Sequence, residues 1–87
     1  MITHLDHATD RHGQKIKVGD WVYSSYFGYI GKKVMEIGIQ GRYEYITTVK
    51  IDFDDGQTYW LFESEILKLP SNKSERKAEL MLMMLEG

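Results

Sequence analysis

Four aromatic rings, Tyr23, Tyr26, Phe27 and Tyr29, fall within a single stretch of seven residues. Ring faces attract cations and stack on nucleobases at about 1–3 kcal/mol per base, so this stretch is a candidate ligand-binding surface. A bland account is equally available: a small β domain has too little interior to bury all its rings, and some must wrap the outside. Lys32, Lys33, Arg42 and Lys50 are candidates for phosphate contacts. Set against Glu36 and Glu44, these four cations leave residues 21–51 with a net charge of +2. So small a set would release few counterions and hold nucleic acid weakly, and the alternative is scattered solvated charge. Residues 52–69 reverse the sign: Asp52, Asp54, Asp55, Glu63 and Glu65 against Lys68 give −4. Such an acidic surface can compete for a basic groove on another protein. That is the mode of a small phage- or mobile-element-type inhibitor acting through an acidic hairpin. Asp54-Asp55-Gly56 is also fully accounted for as turn chemistry.

Other chemistry finds less support. The chain has no cysteine, which removes disulfides, thiolate metal sites and a cysteine nucleophile. His4, His7 and His12, with Asp6 and Asp10, are metal-capable, but no helix or hairpin in the pattern gathers them, and no metal site is expected. Ser24, Ser25, Ser64, Ser71 and Ser74 have no base in a recognisable arrangement. A domain this small rarely has a cleft of a few hundred Å³. The expectation is a protein that is not an enzyme and uses no cofactor.

The elements that must position these residues follow from 87 residues with a net charge of −2, enough for one domain. The longest apolar run, Leu80 to Leu85, is six residues, against about 20 for a membrane span. Met1-Ile2-Thr3-His4-Leu5-Asp6 has no basic stretch followed by an apolar one, so a cytoplasmic location is expected. All eleven aromatic residues lie between Trp21 and Phe62, in a segment rich in Val, Ile and Thr, the composition of half-buried strands. Asp10-Arg11-His12-Gly13 reads as a tight turn. Ile16 and Val18 alternate with Lys15 and Lys17 as a short strand, Gly19-Asp20 bends the chain, and Trp21-Val22-Tyr23 continues it. Further strands are expected over Lys32 to Ile39 and Tyr43 to Phe53. Asp54-Asp55-Gly56 then signals a hairpin before Gln57 to Phe62. Two registers fit it. A two-residue loop sets Ile51 opposite Trp60 and makes Trp60 core, whereas a three-residue loop sets Ile51 opposite Tyr59 and leaves Trp60 on the surface. Glu63 to Ile66 reads as one helical turn and Leu67 to Leu69 as a last strand ended by Pro70. Ser71 or Asn72 caps a helix from about Lys73 to Glu86.

Five short strands, glycine-rich turns and a one-turn helix before the last strand predict a mainly β fold: a five-stranded SH3-like barrel over residues 16–69, preceded by an N-terminal extension (1–15) and followed by a C-terminal α-helix (70–87). Particular residues sharpen this. Val18-Gly19-Asp20-Trp21-Val22-Tyr23, followed by Phe27-Gly28-Tyr29-Ile30-Gly31-Lys32-Lys33-Val34, resembles the opening of KOW-type domains. Val49 to Gly56, with Ser64-Glu65-Ile66 afterwards, looks like the third and fourth strands of Tudor-like barrels. The Tudor-like resemblance implies that the first loop and the loop between strands three and four build an aromatic surface, or a cage for a cation, with Asp54 and Asp55 as an acidic wall. The KOW-like resemblance implies a nucleic-acid face.

The helix begins charged and ends apolar on every side. Leu80, Met81, Met83, Met84 and Leu85 form an adaptable, methionine-rich surface that needs cover. Self-association as a homodimer, capping of the chain's own barrel, and docking into a larger assembly are the three ways to supply it, with self-association the preferred one. The function expected is a non-catalytic binding or regulatory module. Its aromatic loop face would contact nucleic acid or a protein ligand, and its helix a protein partner.

Overall fold

The computed structural model describes residues 2–40, 46–53 and 56–86. Its strands in chain order are β1 (Ile2–His4), β2 (Ala8–Thr9), β3 (Lys15–Ile16), β4 (Trp21–Tyr23), β5 (Lys32–Gln40), β6 (Ile46–Phe53), β7 (Gln57–Phe62) and β8 (Leu67–Lys68). A 3₁₀ turn, Glu63–Glu65, precedes β8, and one helix, α1 (Lys73–Glu86), ends the chain. The fold is mainly β with a C-terminal helix. The part of the expected third strand at Tyr43, Glu44 and Tyr45 lies outside the described residues. No described helix is long and apolar enough to cross a membrane.

Five strands form an antiparallel path in the order β7-β6-β5-β4-β8. The two ends of this path, β7 and β8, do not pair with one another among the described residues, so the sheet is open rather than closed into a barrel. β5 is long enough to serve two neighbours on one edge. Its start pairs with β4 (Trp21↔Lys33) and its end with β1 (His4↔Gly38), while β6 takes the other edge.

A bulge in β5 decides which residues face the core. Val34 pairs with Ile51 and Glu36 with Lys50, which leaves Met35 as an extra residue. An extra residue reverses the alternation beyond it, so Val34 and Ile37 both point inward although they are three apart. They join Ala8, Ile16, Val22, Phe27, Val49, Ile51 and Ile66 in one buried cluster, with Leu5, Phe53 and Leu61 packed against it. The core therefore draws on both sides of the expected boundary at residue 16.

The N-terminal segment is stitched to the end of the sheet. β2 and β3 pair as a small hairpin that puts Ala8 opposite Ile16, both buried. Its turn is the expected one: the Gly13 amide donates to the Asp10 carbonyl at 3.0 Å. The Asp10 carboxylate is almost fully buried and accepts amides from His12 (2.9 Å), Gln14 (2.7 Å) and Lys68 (2.8 Å). Thr9 donates its amide to Glu63 at 2.8 Å, and Arg11 donates to the Ile66 carbonyl at 3.0 Å. The hairpin and the segment Glu63 to Lys68 thus hold one another.

Val18 departs from its expected strand position. It is exposed, because β3 stops at Ile16 and residues 17–20 form a turn. The Asp20 carboxylate accepts the Lys17 amide at 2.8 Å, and Gly19 has φ +93°. Only glycine takes that conformation without steric penalty, and it lets the Gly19 amide reach the Val34 carbonyl at 2.9 Å.

Asn72 caps α1 by accepting the Glu75 amide on its side-chain oxygen at 3.1 Å. The helix touches the sheet mainly through Arg76, whose guanidinium lies 3.9 Å from the centre of the Trp21 ring and donates to the Pro70 and Ser71 carbonyls. A Cβ on Gly31 would meet the Arg76 and Leu69 side chains at 3.1 and 3.2 Å, so glycine there admits this contact. No residue of α1 is buried.

Candidate ligand-binding surface

Five rings form a continuous row across the rim of the sheet. Tyr29 stacks on Tyr23 with centroids 5.7 Å apart, and Tyr23 meets Phe27 edge-on at 6.1 Å. Phe27 meets Phe53 at 5.5 Å, and Phe53 meets Tyr59 at 4.7 Å, both edge-on. Offset and edge-to-face pairs at these separations add about 0.5–1.5 kcal/mol each beyond their buried area.

The row depends on two local devices. The first is the loop after β4. Ser24 is fully buried; its carbonyl accepts the Phe27 amide at 3.2 Å and its hydroxyl accepts the Tyr26 amide at 3.4 Å. This turn drives Phe27 into the core, where it anchors the loop rather than facing a ligand. The second device is the β6–β7 hairpin. Phe53 pairs with Gln57 and Ile51 with Tyr59, so three residues make the loop. Gly56, at φ +82°, donates its amide to the Phe53 carbonyl at 3.1 Å. Tyr59 is thereby carried to the core side beside Phe53, and Trp60 to the outer face opposite Lys50. Of the two registers open in the sequence, the three-residue loop is the one formed.

Tyr29 and Tyr59 lie at the two ends of the row and are exposed by 39% and 41%. They are its accessible faces. Tyr26 lies outside the row and is the most exposed ring of the loop. The neighbouring Glu65 carboxylate raises its phenol pKa, through side-chain hydrogen bonding first and its charge second. Glu65 also accepts the Phe62 amide at 3.3 Å. Asp54 and Asp55, the expected acidic wall, lie outside the described residues.

The candidate phosphate ligands do not gather beside the rings. Lys32 is buried, and its side chain is engaged. Lys33 lies on the outer face, 5.4 Å from the Trp21 ring centre. Lys50 is paired with Glu36 at 3.2 Å and lies 5.9 Å from the Trp60 ring centre, again on the outer face. Arg42 lies outside the described residues. An open cleft of about 380 Å³ on this side is lined by Trp21, Ile30, Gly31, Lys32, Lys33, Met35 and Asp52.

Four of the five metal-capable residues are engaged locally through their side chains. His4 is 3.5 Å from Glu36, His7 is 3.2 Å from Asp6, and Asp10 is taken by its three amides. No group of three or more potential ligands converges among the described residues. For Asp10, burial would by itself raise the pKa, but the Lys68, Gln14 and His12 amides outweigh it and hold the carboxyl below its ordinary value.

Sequence reasoning singled out Tyr23, Tyr26, Phe27 and Tyr29 but not Phe53 or Tyr59 as partners of the loop. The signal that could have found them was the three-residue register, which turns Tyr59 onto the Ile51 face where Phe53 already lies. On the helix, Leu80 and Met83 are half-buried while Met81, Met84 and Leu85 are exposed, as is Leu82, which was not among the expected interaction residues. No protein-family model, curated protein or solved structure matches the chain.

Proposed function

We propose that this chain is a non-catalytic binding module of SH3-like architecture that engages a protein ligand through its row of rings. The strand path supports the architectural reading: a meander of β5, β6 and β7, preceded by β4, with a 3₁₀ turn returning the chain so that β8 pairs with β4. The observation that carries the functional reading is the ring row itself. The loop after β4 and the paired strands β6 and β7, distant from it in sequence, bring their rings together, and the row ends in two accessible tyrosines, Tyr29 and Tyr59. Tyrosine offers a large, stiff contact area with a polar tip, which suits a protein interface.

Protein is favoured over nucleic acid by charge. A nucleic-acid surface needs cations near its stacking rings, and here Lys33 lies over Trp21 and Lys50 is bound to Glu36 and lies near Trp60, neither ring being part of the row. The carboxylate of Glu65 lies beside Tyr26 instead. The test uses immobilised wild-type protein and a Tyr29→Ala/Tyr59→Ala variant as baits in a cell lysate, with and without nuclease. Capture that resists nuclease and disappears in the double variant is expected. Capture that nuclease abolishes, or that the variant retains, contradicts the proposal.

A further inference from the structure

The two ends of the strand path are treated differently. At the β8 end, Asp10 takes the Lys68 amide and Arg11 donates to the Ile66 carbonyl, so the N-terminal hairpin closes that edge. At the other end lies β7, Gln57-Thr58-Tyr59-Trp60-Leu61-Phe62, which pairs with β6 alone among the described residues. Its six residues include no charge, proline or glycine, and its register with β6 is unbroken by a bulge. Charges, prolines and bulges are the means by which exposed edges are ordinarily kept from pairing.

The ladder determines which backbone groups this edge offers. Successive residues of an antiparallel strand turn their N–H and C=O to alternate sides. The Leu5 amide donates to the Ile37 carbonyl at 2.9 Å, so Ile37 bonds away from β6. Val49, opposite Ile37, therefore turns its groups to β7 and meets Leu61. Tyr59 and Gln57 face β6 in the same way, and Thr58, Trp60 and Phe62 turn theirs outward. The Phe62 amide follows this parity and donates to Glu65 at 3.3 Å. The amides and carbonyls of Thr58 and Trp60 have no partner among the described residues.

We propose that a second copy of this chain pairs on this edge, the two β7 strands lying antiparallel about a twofold axis at Tyr59. In that register Thr58 faces the second copy's Trp60, and the two exchange N–H and C=O. Symmetry repeats the exchange, so the four outward groups of each edge are all bonded and the Phe62–Glu65 bond is left intact. An axis at Trp60 would instead set Thr58 against Phe62, whose amide is already taken, and leave the Thr58 carbonyl bare. With the axis at Tyr59, that ring meets its own mate, Gln57 meets Leu61, and no like charges are opposed. Self-complementarity of this kind is what an isologous dimer requires. It also joins the two ring rows end to end.

Sedimentation equilibrium of the full chain over a concentration series is expected to give a reversible monomer–dimer equilibrium. Thr58→Pro removes an outward amide, which an edge strand tolerates, and should weaken the dimer at least tenfold with the far-UV circular dichroism unchanged. The register is read by cross-linking, since the chain has no cysteine of its own. Tyr59→Cys puts two thiols on directly opposed residues, about 4.5 Å apart between Cα atoms, and mild oxidation should give a disulfide-linked dimer. Gln57→Cys lies four residues out of register with its own mate, about 14 Å away, beyond the reach of a disulfide, and should stay unlinked. Tyr29→Ala, at the far end of the row, should leave the dimer unchanged, so dimerisation and ligand capture are read separately. A protein monomeric at every concentration, or a dimer indifferent to Thr58→Pro, overturns the proposal. Cross-linking through Gln57→Cys as fast as through Tyr59→Cys overturns the register, and it does so whether or not Thr58→Pro folds.

Discussion

Ile51 lies directly opposite Tyr59 across the β6–β7 ladder, and this pairing puts the Tyr59 ring 4.7 Å from Phe53. A shift of one residue would bring Trp60 to that place and turn Tyr59 outward opposite Asp52. The ring row therefore rests on the length of a three-residue loop.

Gly56 is the residue of that loop held at positive φ, with open space where a side chain would go. Gly56→Ala meets no steric obstacle and carries only the backbone penalty, about 1–2 kcal/mol. The denaturation midpoint in urea should fall accordingly. The near-UV circular dichroism of the tyrosines should weaken with it, because the register that orients Tyr59 loses its preference.

Asp10 makes stability depend on pH. Its folded-state pKa lies below the unfolded value, so its stabilising contribution is complete above the unfolded pKa, near pH 4, and is lost as pH falls through the folded value. Asp10→Ala leaves three amides without an acceptor and should cost about 2–3 kcal/mol at neutral pH. Asp10→Asn retains one acceptor oxygen for His12 and Gln14 but opposes the Lys68 amide with a donor, so its loss should be intermediate. Thermal unfolding of both variants from pH 7 to pH 2 should show a flatter acid limb than the wild type.

The bulge at Met35 makes an unusual expectation possible. Deleting Met35 leaves Val34, Glu36 and Ile37 in regular alternation against Ile51, Lys50 and Val49, with every inward residue still inward. Equilibrium unfolding should show a smaller loss for this deletion than for Ile37→Ala, for which about 2–5 kcal/mol is expected. A deletion as damaging as the core truncation would mean that the bulge is needed to bend the sheet.

These cases show which features the sequence carried. The Asp10–Gly13 turn, the bend at Gly19 and a helix cap at Ser71 or Asn72 were legible because each is settled by residues within four positions of one another. The Met35 bulge was not, since nothing local distinguishes an exposed methionine from one in a regular strand. The burial of Ala8 and Phe27 was hidden for the same reason: each is set by packing against distant elements. The rings of the first loop were visible as a cluster, but their partners Phe53 and Tyr59 follow only from the hairpin register. The cations Lys32, Lys33 and Lys50 were legible as charges and not as a surface, because their burial, their faces and the Glu36 pairing depend on strand pairing.

Charge placement yields a negative expectation. A fluorescent single-stranded oligonucleotide titrated at low salt should bind weakly, and Lys33→Glu should change capture of a protein ligand little. Tight oligonucleotide binding with a steep salt dependence, lost on Lys33→Glu, would move the functional surface to the Trp21 face.

The most direct measurement is the affinity, by isothermal titration calorimetry, of a nuclease-resistant captured ligand for wild type, Tyr29→Ala, Tyr59→Ala and Lys33→Glu. Each tyrosine variant should weaken binding by about tenfold or more, as truncation of an interface aromatic worth over 1.4 kcal/mol does, while Lys33→Glu matches the wild type. Equal affinities for wild type and both tyrosine variants would contradict the account.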